Sequence, residues 1–348
     1  MSIATIVGAR PQFVKAAVVS RELKLAGVDE VLIHTGQHYD DEMSQVFFDE
    51  LDVPLPTANL NVGSGSHALQ TGTMMVRLEE FLAVRPVPDY VLVYGDTNST
   101  IAGALVASKL HIPLAHVEAG LRSFRRTMPE EINRVVTDRL SSLLFCPTQT
   151  SVDNLHDEGI SDGVHLTGDV MLDATLLFAG LAEKRPPSEA LRELSRGSYF
   201  LATIHRAENA DVPSRLEGIF TGLGRIGTTV IVPLHPRTRE RIEGIEVPDN
   251  VRIIEPVGYL SMLSLIKRAR GVLTDSGGLQ KEAVWLGVPC VTLRDETEWV
   301  ETTERGWNQV VGANPDRIYA SVAKTPEPPP PEFSKAGAAK RIVELLTR

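Results

Sequence analysis

VLVYGDTNSTIAGALVASKLHIPLAHVEAG, residues 91–120, is the stretch that decides the fold. It contains two short apolar runs, and each run ends on a carboxylate, Asp96 in the first and Glu118 in the second. An alanine-rich segment, residues 101–110, separates the runs, so the pattern predicts a strand, a helix and a second strand. Parallel strands bind ligands outside their carboxyl ends. We therefore expect Asp96 and Glu118 at one reactive edge of a sheet.

Strand and helix patterns alternate on both sides of this stretch. The other strands are predicted at residues 3–7, 31–33, 143–146, 164–166, 199–204, 229–232, 251–254, 272–274 and 288–293. The main helices are predicted at residues 11–25, 151–158, 170–181, 213–226, 260–269 and 279–286. Such alternation predicts an α/β fold with doubly wound, Rossmann-like parallel sheets.

The chain is too long for one such sheet. With 348 residues it exceeds the usual size of a single α/β unit, so two domains are predicted. The charged, proline-rich segment Glu183–Pro187 marks the hinge region. We expect an N-terminal domain over residues 1–169 and a C-terminal domain over 170–333. Residues 334–348 form an amphipathic pattern, which predicts a last helix that packs back on the first domain.

Composition narrows the classes of function. Lys and Arg number 35 against 45 Asp and Glu, a net charge of −10 that argues against nonspecific binding to nucleic acid or anionic membranes. No apolar run approaches the length that spans a membrane. Cys146 and Cys290 lie in or beside apolar runs without metal-type spacing, so we expect buried, reduced thiols. These features predict a cytoplasmic protein without membrane insertion.

Three acids are candidates for acid/base chemistry: Asp96, Glu118 and Glu130. A structural role competes for two of them, because Asp96 could cap the helix that follows it and Thr127-x-x-Glu130 fits a capping box. Glu118 has no such explanation. A glutamate at the end of an apolar strand is unusual unless it is paired or used.

Two cationic side chains lie near the start of the first predicted helix. Arg10 and Lys15 lie at, or one turn inside, the N-terminus of the helix that contains Pro11. Backbone N–H groups and the helix dipole favour an anion there, so the two side chains suggest a phosphate or pyrophosphate site. Solvated surface charges are the alternative.

A glycine turn follows a strand in the second half, in the sequence TDSGGLQKE of residues 274–282. Gly277 and Gly278 would let backbone N–H groups approach phosphate oxygens, and Ser276 could donate a further hydrogen bond. Glu282, one turn into the helix, could accept both hydroxyls of a ribose. The alternative is a plain tight turn in which Asp275 caps the helix.

Two more motifs follow strands of the same predicted sheet, His205-Arg206 and His235-Pro236-Arg237. Cations and neutral donors beside a dianion offset its loss of solvation, so the two motifs suggest a clamp for a diphosphate. Each taken singly could be a surface charge.

Taken together, seven motifs resemble the non-hydrolysing UDP-N-acetylglucosamine 2-epimerases over essentially the whole chain. In chain order they are Gly8-Ala9-Arg10-Pro11, Thr35-Gly36-Gln37-His38, Gly95-Asp96-Thr97, His116-Val117-Glu118-Ala119-Gly120-Leu121-Arg122, Pro129-Glu130-Glu131-Ile132-Asn133-Arg134, His205-Arg206 and Asp275-Ser276-Gly277-Gly278-Leu279-Gln280-Lys281-Glu282.

The resemblance implies the GT-B fold, with an interdomain cleft, and a UDP-sugar substrate without a metal or other cofactor. It also implies a homodimer. The catalytic residues that it implies are Asp96, Glu118, Glu130 and His205. The residues that it implies for binding substrate or UDP are Arg10, Lys15, Ser276, Gly277, Gly278 and Glu282, and the diphosphate clamp suggested above adds Arg206 and His235.

Two positions depart from the better known enzymes of this family, since Ala9 and Gln12 stand where those carry Thr and Glu. The form Gly-Ala-Arg-Pro-Gln also resembles the branch that acts on UDP-2,3-diacetamido-2,3-dideoxyglucuronate, which is the alternative substrate. A glycosyltransferase of the same fold, a hydrolysing epimerase and a nonenzymatic nucleotide-sugar sensor are the rival functions.

Overall fold

A computed structural model describes residues 1–37, 55–185, 194–234, 236–297, 299, 302–303, 306–323 and 335–348, with the side chains of 236 and 237 left out. The chain divides into two compact units. Unit 1 comprises Met1–Ala174 and Lys335–Arg348, and unit 2 comprises Thr175–Ser334. Along the chain, the boundary between the units falls inside a continuous helix, Val170–Glu183. The boundary expected from the sequence was at residue 170, before that helix.

Unit 1 contains a seven-stranded sheet in which every strand pair is parallel. The strands are β1 Ser2–Val7, β2 Asp29–His34, β3 Ala58–Asn59, β4 Tyr90–Tyr94, β5 Leu114–Val117, β6 Leu143–Cys146 and β7 Val164–Leu166, in the order β3-β2-β1-β4-β5-β6-β7. The helices are α1 Arg10–Leu25, α2 His67–Ala83, α3 Asn98–Lys109, α4 Pro129–Leu140, α5 Gln149–Asp157, the start of α6 Val170–Glu183, which continues into unit 2, and, at the end of the chain, α13 Ala338–Leu346.

The alanine-rich composition of α3 has a packing reason. A Cβ atom on Gly103 would come within 2.8 Å of the Ile6 side chain on β1, so the helix lies very close to the sheet. Small residues such as Ala102 and Ala107 are fully buried there and allow that approach. The strands of the sheet on which α3 packs are largely apolar on both faces, as expected for a parallel sheet that is covered on both sides.

Unit 2 contains a six-stranded sheet, again parallel throughout. The strands are β8 Phe200–Thr203, β9 Val230–Pro233, β10 Val251–Ile254, β11 Gly271–Thr274, β12 Cys290–Thr292 and β13 Asn308–Val310, in the order β10-β9-β8-β11-β12-β13. The helices are α7 Ala207–Ala210, α8 Pro213–Arg225, α9 Pro236–Arg241, α10 Tyr259–Arg268, α11 Gly277–Trp285 and α12 Pro315–Val322.

Each sheet has one place where the strand order reverses direction. In unit 1 it lies between β1 and β4, and in unit 2 it lies between β8 and β11. A crevice forms outside the carboxyl ends of the strands at such a switch point, where doubly wound proteins bind their ligands. Four of the predicted motifs follow these four strands directly.

The predicted α/β class with two doubly wound sheets is confirmed. The buried, unpaired state of Cys146 and Cys290 is confirmed as well. Strand β13 and helix α12 were missed. For β13 the reason is its composition, since Asn308-Gln309-Val310 has one apolar residue and Asn308 is a buried polar residue. None of the helices in the described part of the chain has the length and apolar character needed to cross a bilayer.

Helix α13 belongs to unit 1, and its N-terminus is fixed by one carboxylate. The backbone N–H groups of Gly337 and Ala339 donate to the two oxygens of Asp173, at 2.6 and 2.8 Å. Arg341 donates to the carbonyl of Thr167, at 2.6 Å. Ser334, at which this helix was expected to begin, lies outside the described residues.

Candidate active site

The turn after β4 carries Asp96, and side chains from three different elements hold its backbone. The carbonyl of Tyr94 accepts from Gln12 on α1, at 2.7 Å. The carbonyl of Gly95 lies 2.8 Å from the ring of His116 on β5, and that of Asp96 accepts from Asn133 on α4, at 2.8 Å. Three consecutive carbonyls are therefore fixed, which sets the position of the Asp96 side chain.

Glu118 leaves β5 beside this turn. Its backbone φ is +74°, in the left-handed region that residues other than glycine rarely adopt. A Cβ atom on Gly95 would lie only 3.4 Å from Oε2 of Glu118, so the carboxylate lies directly against the turn that carries Asp96. The side chain is 14% exposed and forms an ion pair with Lys15, which is 12% exposed.

The charge of Lys15 is supported by its acidic surroundings. Burial alone lowers the pKa of Lys15, but the carboxylates of Glu118, Asp169 and Asp96 outweigh burial and raise that pKa above its ordinary value. Lys15 was predicted as a ligand for a phosphate. In the structure its ammonium group contacts Glu118 within unit 1, whereas Arg10 at the start of α1 is exposed.

Helix α4, which carries the third acid, contacts the same turn. Arg134 donates to Oδ2 of Asp96 at 2.5 Å and to Glu131 at 3.0 Å. Glu130 lies one turn earlier on α4, three residues before Asn133 and four before Arg134, so it lies on the helix side that contacts Asp96. Glu130 itself is exposed.

Both structural alternatives for these acids are wrong. The N-cap of α3 is Thr97 and not Asp96, and the carboxylate of Asp96 contacts Arg134 instead. The N-cap of α4 is Met128, which follows Thr127, so Thr127 and Glu130 form no capping box. Neither acid is needed to start a helix.

The loop between Glu118 and Glu130 is fixed by Glu131. Its carboxylate accepts hydrogen bonds from the backbone and hydroxyl of Ser123 and from the backbone of Phe124, at 2.8 to 2.9 Å. Burial raises the pKa of Glu131, but these donors and Arg134 lower it below its ordinary range. An ionised Glu131 therefore links the loop, through Arg134, to Asp96.

The switch point of unit 2 is built around Asp275, which is fully buried. Its carboxylate accepts from the backbone N–H groups of His205 and Arg206, both at 3.0 Å, and from the Asn209 side chain at 3.2 Å. Burial raises the pKa of Asp275, but the contacts with His205, Arg206 and Asn209 outweigh it and lower that pKa. The alternative that Asp275 caps α11 is wrong, because the N-cap is Ser276.

Asp275 also orients the His205 ring. Nδ1 of His205 lies 2.9 Å from Oδ1 of Asp275, while the side chain is 51% exposed. The carboxylate can only accept, so Nδ1 carries a proton and Nε2 is the ring nitrogen left for other partners. A buried carboxylate behind an exposed imidazole holds the ring in one orientation.

The glycine turn begins α11. Ser276 accepts a hydrogen bond from the backbone of Leu279 at 3.4 Å, which leaves its hydroxyl proton for another acceptor. A Cβ atom on Gly278 would meet no atom of the described residues within 4 Å, and the φ of Gly278 is not left-handed. Neither packing nor backbone conformation therefore requires glycine at this position.

The remaining predicted residues of unit 2 have different surroundings. Glu282 is buried, and its Oε1 accepts from the hydroxyl of Tyr259 at 3.0 Å. Arg206 is half-buried at the N-terminus of α7. His235 lies outside the described residues, as does the side chain of Arg237.

Sequence reasoning missed the residues that hold the acids and the histidine in place. These are Gln12, His116, Asn133, Arg134, Asp138 and Asp275. For Gln12 the only signal was the departure from the related pattern. The structure gives that residue four hydrogen bonds, to Gly8, Ala9, Tyr94 and Thr100.

Comparison with known proteins identifies the family. The family model described as UDP-N-acetylglucosamine 2-epimerase matches residues 21–347. A Methanococcus maripaludis protein named UDP-N-acetylglucosamine 2-epimerase homolog is 52% identical, over 99% of each chain. The Pseudomonas aeruginosa UDP-2,3-diacetamido-2,3-dideoxy-D-glucuronate 2-epimerase is 47% identical over the full length of both.

A solved structure gives the same result for the fold. The Methanocaldococcus jannaschii UDP-GlcNAc 2-epimerase, crystallised with UDP-GlcNAc and UDP, matches with a TM-score of 0.84 and 45% identity. The match covers 100% of this chain and 99% of that one. The GT-B type of fold that the motifs implied is thereby confirmed.

Proposed function

The chain belongs to the UDP-N-acetylglucosamine 2-epimerase family and is an isomerase, and on that premise we propose that it interconverts UDP-GlcNAc and UDP-ManNAc. One observation carries the proposal. The Glu118 carboxylate lies against the turn of Asp96, and helix α4, whose first turn contains Glu130, contacts both the backbone and the carboxylate of Asp96. Asp96 and Glu118 therefore lie side by side at the carboxyl edge of one sheet, and the helix that carries Glu130 contacts the same turn.

The chemistry of the sugar explains why several acids are needed. C2 of an N-acetylhexose has no adjacent carbonyl in the ring, so a carboxylate cannot remove its proton directly. Breaking the bond between C1 and the diphosphate oxygen makes the transition state resemble an oxocarbenium ion, which acidifies that proton. The base takes the C2 proton, UDP leaves, and 2-acetamidoglucal is formed. Protonation of C2 from the opposite face and return of UDP to C1 complete the inversion.

The surroundings of the three acids fit a role in moving protons to and from C2. Glu118 forms an ion pair with Lys15, and Asp96 forms one with Arg134, so a cation lies beside each of these two acids. Glu130 is exposed and supplies a third carboxyl group. We assign all three to the acid/base set, which is expected to contribute about two to four orders of magnitude to turnover.

Unit 2 is assigned the nucleotide. His205, oriented by Asp275, presents Nε2 as a donor to the diphosphate when the ring is protonated, and Arg206 lies next to it in the chain. Arg10 in unit 1 is assigned to the same negative charge. Gly277, Gly278 and Ser276 offer donors for phosphate oxygens at the start of α11. Glu282 is assigned to the ribose and His235 to UDP.

A second substrate is favoured by one specific comparison. The relative with 47% identity is named for UDP-2,3-diacetamido-2,3-dideoxy-D-glucuronate, and the same elimination would invert C2 of that sugar. The two substrates differ at C3 and in the carboxylate at C6, so side-by-side measurement of kcat/KM separates them. The sugar with the higher kcat/KM is the substrate.

Product analysis tests the proposed reaction. Incubation with UDP-GlcNAc should give the manno epimer still attached to UDP, detected by chromatography and NMR. Free N-acetylmannosamine as the sole product would mean a hydrolysing enzyme, and transfer to an added acceptor would mean a glycosyltransferase. Asp96→Asn, Glu118→Gln and Glu130→Gln should each lower kcat while UDP affinity is kept. Full activity in all three variants would refute the acid assignment.

The finer expectations are a homodimer, which rests on the family resemblance, and a cytoplasmic location, which rests on the composition of the sequence. Sedimentation equilibrium of the purified chain measures the first. Fractionation of the producing cells measures the second. A monomer at working concentration, or recovery outside the cytoplasm, would contradict them.

A further inference from the structure

A buried histidine lies between the turns that carry the acids. His116 on β5 is 0% exposed and stands two residues before Glu118. Its Nε2 lies 2.8 Å from the carbonyl of Gly95, and its Nδ1 lies 2.7 Å from Oδ1 of Asp138. A carbonyl and a carboxylate both accept hydrogen bonds, so both ring nitrogens must carry protons for both contacts to form.

The buried Asp138 extends this contact to a wider network. Its second oxygen accepts from the backbone of Gly120 at 3.2 Å and from Arg122 at 2.7 Å. The other edge of the Arg122 guanidinium binds both oxygens of Glu158, at 2.7 and 2.9 Å. Burial raises the pKa of Asp138, but His116 and Arg122 outweigh it and lower that pKa, so the carboxylate is ionised.

The network reaches all three segments that carry the proposed acids. Gly95 directly precedes Asp96. Gly120 follows Glu118 by two residues, and Asp138 lies on α4, whose first turn contains Glu130. His116 is therefore joined by hydrogen bonds to the Asp96 turn and, through Asp138, to the other two segments.

These turns need such support. Gly95, Glu118 and Gly120 all have positive φ, and the value for Glu118 is +74°. A non-glycine residue in that region is held there only by its surroundings. Small shifts of the carboxyl groups would matter, because a displacement of about 1 Å at a reacting group can lower a rate about 100-fold.

We propose that His116 is a positioning residue for the acid/base set, acting as a doubly protonated link between the Gly95 carbonyl and Asp138. It touches neither the sugar nor the diphosphate in this role. The proposal rests on the proposed function of Asp96, Glu118 and Glu130.

Two near-isosteric variants separate the two contacts of the ring. The amide nitrogen of a glutamine stands about where Nε2 of histidine stands, so His116→Gln keeps a donor for Gly95 and loses the one for Asp138. His116→Asn does the reverse. Because the Gly95 contact fixes Asp96, we expect His116→Asn to lower kcat about 30- to 100-fold and His116→Gln to lower it less than about 5-fold.

The other readouts should hardly change. KM and the Kd for UDP should stay within about twofold, since no residue of the network is assigned to the nucleotide. A matched control is His165→Gln, which removes a half-buried histidine from β7 of the same sheet and should leave kcat unchanged. Equal losses in the Asn and Gln variants, or losses in kcat that follow the melting temperature, would overturn the proposal in favour of a merely structural role.

A measurement on the unaltered protein covers the case in which a variant does not fold. With ¹⁵N-labelled histidine, one of the nine rings should show two protonated nitrogens whose N–H protons exchange slowly, because His116 is buried and both of its nitrogens face acceptors. Absence of such a ring would overturn the proposal. If the unaltered protein shows this ring but has no epimerase activity, the proposed function fails and the double protonation of His116 stands.

Discussion

The ion pair between Lys15 and Glu118 offers a quantitative test of the site in unit 1. The side chains are 12% and 14% exposed, so the pair is close to the buried limit. At an effective dielectric constant of about 20, two charges about 4 Å apart attract by about 4 kcal/mol. The cost of burying both charges offsets part of this attraction. We expect a coupling energy of about 2 kcal/mol, well above the roughly 0.2–1 kcal/mol that is typical of surface pairs.

The perturbation is a double-mutant cycle with Lys15→Met, Glu118→Gln and the double variant. Lys15→Met alone should destabilise unit 1 by about 3 kcal/mol, because it leaves a nearly buried carboxylate without its cation. The double variant should recover about 2 kcal/mol of the sum of the two single effects. The raised pKa of Lys15 fixes the pH range: its contribution is complete below about pH 10.4 and is lost only as pH rises through the raised value. The coupling should therefore be the same at pH 7 and pH 9.

Two probes distinguish the units. Hydrogen exchange of the backbone amides in β4 and β5 reports the stability of unit 1. All three tryptophans, Trp285, Trp299 and Trp307, lie in unit 2, so their fluorescence during urea unfolding serves as an internal control. The same cycle on the exposed pair of Arg239 and Glu255 should give a coupling near the surface range. A coupling below about 0.5 kcal/mol for Lys15 and Glu118 would refute the reasoning.

Four other residues or pairs of residues give further predictions. Gly278→Ala should keep or raise the melting temperature, since the added Cβ meets no atom within 4 Å, yet weaken UDP binding about 10-fold or more by calorimetry if the turn binds phosphate. Tyr94→Phe should not lower the melting temperature, because the buried Tyr94 hydroxyl has no hydrogen-bond partner among the described residues. Cys146 and Cys290, whose pKa values burial raises to about 12, should resist a thiol reagent at pH 8 until the protein is unfolded. Asp275, whose pKa is lowered, stabilises the protein above about pH 3.9 and loses this effect as pH falls, so Asp275→Asn should flatten the acid dependence of unfolding monitored by tryptophan fluorescence.

The outcomes that contradict these predictions are equally plain. They are unchanged UDP affinity for Gly278→Ala, a drop in melting temperature for Tyr94→Phe, rapid labelling of the native thiols, and an unaltered pH profile for Asp275→Asn.

The fold could be predicted because its signal is local. The strand at residues 143–146, for example, is an apolar run, and the structure has it at the expected bounds. Where a strand is held by polar contacts the signal disappears. The buried Asn308 of β13 forms hydrogen bonds with Thr292 and Gln280, at 2.6 and 3.0 Å. The hydrophobic pattern of the sequence gives no sign of these polar contacts.

In the candidate site, too, the local features could be predicted from the sequence and the contacts between distant residues could not. Asp96 and Glu118 could be found because a carboxylate at the end of an apolar strand is conspicuous. The partners that orient them could not, because Arg134 and Lys15 lie 38 and 103 residues away in sequence from the acids they contact. Asp275 appeared as a helix cap, since only the β8–β11 pairing brings it against His205.

The central claim is that C2 of the sugar loses its proton while the diphosphate departs and returns. The most direct measurement is incubation of UDP-GlcNAc with the protein in heavy water, followed by NMR of the nucleotide sugars. The account predicts that deuterium enters C2 as the manno epimer forms, with the UDP still attached, and that Glu118→Gln slows this incorporation. Epimerisation with full retention of the original C2 proton would contradict it.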